Sequence, residues 1–112
     1  FDFIPLPVLA QVAPCLGLAF LDANGDGIPD LYVSQNFGSP QRETGRMAGG
    51  VGALLAGNGN GTFREIWPAE SGIVVPDDAR SAAAIDLNND GHSDIAVAVN
   101  NGNLRVFLNR PR

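Results

Sequence analysis

The sequence predicts an all-β fold of two four-stranded antiparallel units, one complete and one split across the two ends of the chain. Three observations lead there. The 112 residues include 14 Gly and 8 Pro, a density that suits many turns between short strands. Short apolar runs bounded by turn residues recur along the chain, among them "GLAFL", "LYVS", "SAAAI" and "IAVAV". Residues 22–36 also repeat as 86–100, with Asp22 aligned on Asp86, Asn24 on Asn88, Asp26 on Asp90, Gly27 on Gly91, Asp30 on Asp94 and Asn36 on Asn100.

The elements follow from this repeat. Residues 17–21 and 31–34 are expected to pair around the loop 22–30, and residues 81–85 and 95–99 around the loop 86–94. The run "SAAAI" has helix propensity, but Asp86 and Gly91 end it too early for a helix. A polar, Gly-rich loop occupies 37–50, and "GNGNG" then separates two apolar runs. Asn and Gly tolerate the positive φ of tight hairpins, so 51–56 and 62–67 are expected as the third and fourth strands. In the second unit "LRVFLN", 104–109, takes the third place. "FDFI", 1–4, precedes the first repeat as "FREI", 63–66, precedes the second, so it is expected to be the fourth strand of the split unit. The complete unit spans 17–67, and 81–109 supplies the other three strands of the second.

Composition narrows the function. Hydrophobic residues make up 45% and charged residues 17%, a globular balance. No apolar run approaches the roughly 20 residues needed to span a bilayer as a helix. The seven basic residues are all Arg and are dispersed, which argues against a nucleic-acid-binding stripe. Cys15 stands alone, excluding a disulfide framework within the chain, and reads as a buried, inert thiol. Phe1 replaces a starting Met, and no signal-like start is visible, so a processed or excised segment is expected.

The net charge of −5 is concentrated. Six of the 12 acidic residues lie in the two repeated loops, and elsewhere seven Arg outnumber six carboxylates. Folding gains nothing from crowding like charges, so something must neutralise them. Asp-x-Asn-x-Asp-Gly-x-x-Asp has the ligand spacing of a calcium loop: oxygens at positions 1, 3, 5 and 9, a backbone carbonyl at 7, and Gly at 6 for the sharp turn. One Ca²⁺ site is therefore expected from Asp22, Asn24, Asp26, the Ile28 carbonyl and Asp30. The second uses Asp86, Asn88, Asp90, the His92 carbonyl and Asp94. An EF-hand is excluded, because position 12 is Val33 or Val97 within a strand, where that motif needs Glu. The absence of soft ligands disfavours zinc or copper. His92 contributes its backbone, so its imidazole is expected in solvent. Trp67 and Phe63 read as packing residues, and Tyr32 fits either face of its strand.

The two calcium loops and the hairpin "VGALLAGNGNGTF" resemble the FG-GAP/VCBS repeats that build the β-propeller of integrin α-subunits. The stretch from "GNGNGTF" through "LNNDGHSDIAVAV" is also similar to secreted repeat proteins of the ASPIC/UnbV type. The resemblance implies two β-propeller blades, with the cation in the hairpin between the first two strands of each. A propeller closes with about four to eight blades, so it further implies other blades, from the same parent protein or from head-to-tail copies. The expected function is a calcium-stabilised module for extracellular binding or assembly, in a secreted, extracellular or periplasmic setting. Alternatives are a carbohydrate-binding, lectin-like propeller that uses Arg42, Glu43 and Arg46 of the 37–50 loop, and a structural subunit of a surface filament. Expected partners are thus other blades, with a protein or glycan ligand in addition, and neither nucleic acid nor a membrane span. No Ser-His-Asp or Cys-His arrangement is visible in the sequence, and no enzymatic activity is expected.

Overall fold

A computed structural model describes residues 1–36, 50–100 and 102–110. Nearly all of the 37–50 loop, including Arg42, Glu43 and Arg46, lies outside the described residues. The fold is all-β in its framework, with two antiparallel sheets. The first has the order β1 (Cys15–Leu21), β2 (Asp30–Gln35), β3 (Ala53–Gly57), β4 (Phe63–Ile66). The second has the order β5 (Ala79–Ile85), β6 (Asp94–Val99), β7 (Arg105–Phe107). Both are simple meanders, and the connections β1–β2, β3–β4, β5–β6 and β6–β7 are too short for anything but an antiparallel neighbour.

The 64-residue repeat extends into backbone detail. Leu21 pairs with Asp30 at the loop end of the first hairpin, and Ile85 pairs with Asp94 at the second. Each hairpin carries a bulge near its far end, between Cys15 and Gly17 and between Ala79 and Ser81. These bulges make β1 and β5 longer than the apolar runs that predicted them. Beyond the bulges, the Asn36 N–H donates to the Pro14 carbonyl and the Asn100 N–H to the Asp78 carbonyl, at 3.0 and 2.9 Å. The "GNGNG" segment forms the β3–β4 turn, with Gly59 and Gly61 at φ near +86 and +89° and Asn58 bonded to Thr62 through backbone and side chain.

The sheets stack through a shared core of Ala19, Leu21, Tyr32, Leu54, Ile95 and Val97, extended by Ile73 and Val75 from the connecting segment. Tyr32 is fully buried on this face. β1 and β5 lie close together at Gly17, where an added Cβ would stand 2.8 Å from the Ser81 Cα. A second cluster covers the opposite face of the first sheet. There Leu31, Val33, Ala53 and Leu55 lie beneath Leu6, Leu9 and Ala10, from the segment that includes a short 3₁₀ turn at Val8–Gln11. β2 is consequently buried along its whole length, with Leu31 and Val33 on one face and Tyr32 on the other. Burial of side chains such as Val33 and Leu55 stabilises the fold by about 1.5–3 kcal/mol each.

Several expectations are revised. Phe1–Ile4 form no strand within the chain and lie exposed, since a lone extended segment finds no ladder partner here. Trp67 is exposed, because it precedes the helical turn α1 (Pro68–Ser71), whose Pro68 directs the chain away from the sheet. Phe63, by contrast, packs on the second cluster. Cys15 is exposed, not buried, because the bulge leaves the start of β1 at the surface. Its thiol turns back onto the Ala10 carbonyl at 3.3 Å. Partial desolvation there raises its pKa, with a hydrogen bond to Gln35 acting the other way, so thiolate reactivity is not promoted.

Candidate metal centres

Both acidic loops close the hairpin between the first two strands of their sheet, at the same end of the molecule. Their chain paths are held by the carboxylates themselves. In the first loop the Gly25 and Asp26 N–H groups donate to Asp22 Oδ1 at 2.9 and 3.2 Å, and the Gly27 N–H donates to Asp22 Oδ2 at 2.8 Å. In the second, the Asp90 N–H donates to Asp86 Oδ1 at 3.1 Å and the Gly91 N–H to Asp86 Oδ2 at 2.8 Å. Position 5 then accepts from position 7, Ile28 N–H to Asp26 Oδ1 and His92 N–H to Asp90 Oδ1, each at 2.9 Å. Gly27 and Gly91 have φ of +81 and +88°, the left-handed turn anticipated for position 6.

These backbone donors set the electrostatics. The Gly27 hydrogen bond is the largest influence on Asp22 and lowers its pKa. The Gly91 bond does the same for Asp86. Both groups are therefore held as carboxylates, the form a hard cation requires.

Asp30 and Asp94 have a further task that spacing did not reveal. Both are fully buried. Asp30 accepts from the Ala23 N–H and from the Gly57 N–H at the end of β3, both at 2.8 Å. Asp94 accepts from the Leu87 N–H at 2.9 Å and the Asn109 N–H just beyond β7 at 2.7 Å. Each position-9 aspartate thus fastens its loop to the third strand of its own sheet. Because a carboxylate offers about four lone-pair sites, these bonds leave acceptor capacity for a cation. Asn109 also donates through its side chain to the Ala23 carbonyl at 3.0 Å, tying the second sheet to the first loop.

The loops differ in closure. One carboxylate oxygen from each of Asp86, Asp90 and Asp94 lies within 4.8 Å of the others, the one such carboxylate trio among the described residues. In the first loop Asn24 Oδ1 instead accepts from the Asp26 N–H at 3.3 Å. Asn88 and Asn24 are both exposed, as are Asp26 and Asp90. An all-oxygen donor set of this kind fits a hard divalent cation better than a soft one. His92 is half-buried at the rim of a groove between the sheets, not free in solvent as expected from its position.

Asn36 is a structural residue whose role the repeat only hinted at. It is fully buried at φ +82°. Its amide donates to the carbonyls of Gly50, Pro76 and Asp77 at 2.6, 3.2 and 3.1 Å, and accepts from the Gly50 N–H at 2.8 Å. It therefore clamps the first sheet to the segment that leads into the second. The recurrence of Asn at position 100 was the available signal.

Residues 44–97 match the model of an FG-GAP-like repeat. The matched segment includes β3, β4, β5, the whole second acidic loop and the first part of β6, so the match runs from one sheet into the next. No curated protein and no solved structure matches the chain significantly.

Proposed function

We propose that this chain is a calcium-stabilised segment of a β-propeller, contributing two blades to an extracellular module for binding or assembly. The observation that carries this reading is the duplicated carboxylate framework. Two loops 64 residues apart hold Asp at positions 1, 5 and 9 by the same backbone donors. The second gathers its three carboxylates within 4.8 Å. Bound Ca²⁺ would supply positive charge that neutralises each cluster and cross-links its loop. Asp22, Asn24, Asp26, the Ile28 carbonyl and Asp30 would hold one ion. Asp86, Asn88, Asp90, the His92 carbonyl and Asp94 would hold the other.

The packing supports the blade reading. The sheets approach closely at β1 and β5, while a cavity of about 890 Å³ opens toward β4 and β7. Such splaying suits units arranged around an axis. The exposed apolar residues Ile85 and Val106 on the outer face of the second sheet occupy the repeat positions of Leu21 and Leu54, which meet the neighbouring sheet in the first. A further blade would cover them.

Thermal unfolding with excess calcium and with chelator tests the cation. At a free concentration a hundredfold above Kd, each site stabilises the fold by about 2.7 kcal/mol. Two filled sites predict that chelation lowers Tm by roughly 10 °C or more. An unchanged Tm would refute the reading.

A further inference from the structure

The second sheet ends at β7, and no strand among the described residues pairs with its outer edge. Beside that edge lies the cavity of about 890 Å³, lined by Leu54 and Ile66 from the first sheet, Ile73 from the connecting segment, Ile95 and Phe107 from the second sheet, and Leu108 just beyond β7. A bare strand edge above an apolar groove is a template for β-strand addition. Elsewhere in the same chain, Phe1 and Phe3 stand in solvent with nothing to pack against.

The register for such a strand can be read from the first sheet. There β3 pairs with β4 as Leu54 with Ile66, Leu55 with Glu65, Ala56 with Arg64 and Gly57 with Phe63. Gly57 and Asn109 are equivalent, since each donates its N–H to Oδ1 of the position-9 aspartate. Val106, Phe107 and Leu108 therefore correspond to Leu54, Leu55 and Ala56. "FDFI" matches "FREI", so Ile4 would stand opposite Val106, Phe3 opposite Phe107, Asp2 opposite Leu108 and Phe1 opposite Asn109. Strand alternation then has a consequence. Phe107 packs toward the first sheet, so Phe3, and Phe1 two residues away, would enter the groove. Asp2 would face outward, beside solvent.

Phe1–Ile4 of the same chain do not lie at this edge. Leu6, Leu9 and Ala10 hold the start of the chain on the far face of the first sheet, and the Leu9 N–H donates to Glu65. Ile4 lies toward the β3–β4 turn at Gly61. The groove opens on the opposite face, where Leu54 and Ile66 point. We infer that residues Phe1–Ile4 of one copy of this chain add as a fourth strand to β7 of a second copy, placing Phe1 and Phe3 in the groove between the second copy's sheets. The contact is heterologous, so copies assembled this way close into a ring or continue as a filament. The inference rests on the reading of the chain as two repeats of one four-stranded pattern.

Light scattering on the full chain, with calcium present, tests this with two variants. Phe1→Asp/Phe3→Asp removes the donor's apolar side chains at positions already exposed, where folding does not depend on them. Leu108→Pro blocks the acceptor: the Asn109 N–H is directed to Asp94, so alternation turns the Leu108 N–H to the open edge. The unmodified chain should be larger than the 11.7 kDa of one chain. Each variant alone should be a monomer that retains the calcium-dependent Tm shift. An equimolar mixture should run at twice the monomer mass, because one variant keeps a donor strand and the other an intact groove. A monomeric unmodified chain, a mixture that stays monomeric, or assembly that survives in the donor variant would overturn the inference. None of these results would alter the calcium reading, which the Tm shift tests separately.

Discussion

Asn36 and Asn100 occupy equivalent places in the repeat and end equivalent strands, yet their surroundings diverge. Asn36 is buried and spans from its own sheet to Gly50, Pro76 and Asp77. Asn100 is exposed, and its side chain reaches Asp78 at 3.4 Å, in the segment leading into its own sheet. The acidic loops of the same two repeats, in contrast, have nearly superposable hydrogen-bond schemes. The repeat therefore contains two kinds of structure. The loop carboxylates are satisfied by backbone donors of their own sheet, and those donors are equivalent in the two copies. The sheet face is completed by a neighbouring sheet and the Asn clamp by the segment leading into it, which the first repeat has and the second lacks among the described residues.

This contrast can be broken most strongly at the Asn pair. Asn36→Ala removes an amide that makes four hydrogen bonds to buried and partly buried backbone groups, and it places Ala at positive φ. We expect a loss of about 3 kcal/mol in urea unfolding. Asn100→Ala should change stability by less than about 1 kcal/mol. Equal losses would show that Asn100 is as deeply engaged as Asn36.

The loops should respond alike instead of differently. Asp30→Asn and Asp94→Asn each set an amide donor against a backbone N–H at a fully buried site. Each is expected to cost about 2–3 kcal/mol in the presence of chelator, before any cation is considered. Denaturant titration of both variants would sharpen the comparison. A large cost at one site only would mean that the pins to Gly57 and Asn109 are not equivalent.

The smallest effect is expected at Tyr32. Its hydroxyl is buried with no hydrogen-bond partner among the described residues, and burial pushes its pKa up to about 12. Tyr32→Phe keeps the ring between the sheets and removes the unsatisfied group. Stability should be unchanged or improve by about 1 kcal/mol. A clear loss would place an unseen partner on the hydroxyl.

The paired strands and their loops were legible because their signals are local. Asp, Asn and Gly at fixed offsets announce a turn and a ligand set, and the flanking apolar runs announce strands. The pins were not legible, since Asp30 meets Gly57 27 residues away and no pattern links them. The burial of Tyr32 depended on which face of β2 the second sheet covers, something that strand alternation alone leaves open. The segment at 6–11 was missed for a similar reason. Its "PLPVLAQV" has no strand or helix period, and its order comes from lying on Leu31, Val33 and Leu55. Cys15 and Trp67 were misplaced because a bulge and a Pro-initiated turn redirect the chain at those points.

The account rests on two like loops that each hold one cation, and isothermal titration of the chelator-stripped chain with calcium tests that most directly. It predicts two ions bound per chain, falling to one in Asp86→Ala, with the remaining site carried by the first loop. Absence of binding, or a stoichiometry unaffected by Asp86→Ala, would contradict it.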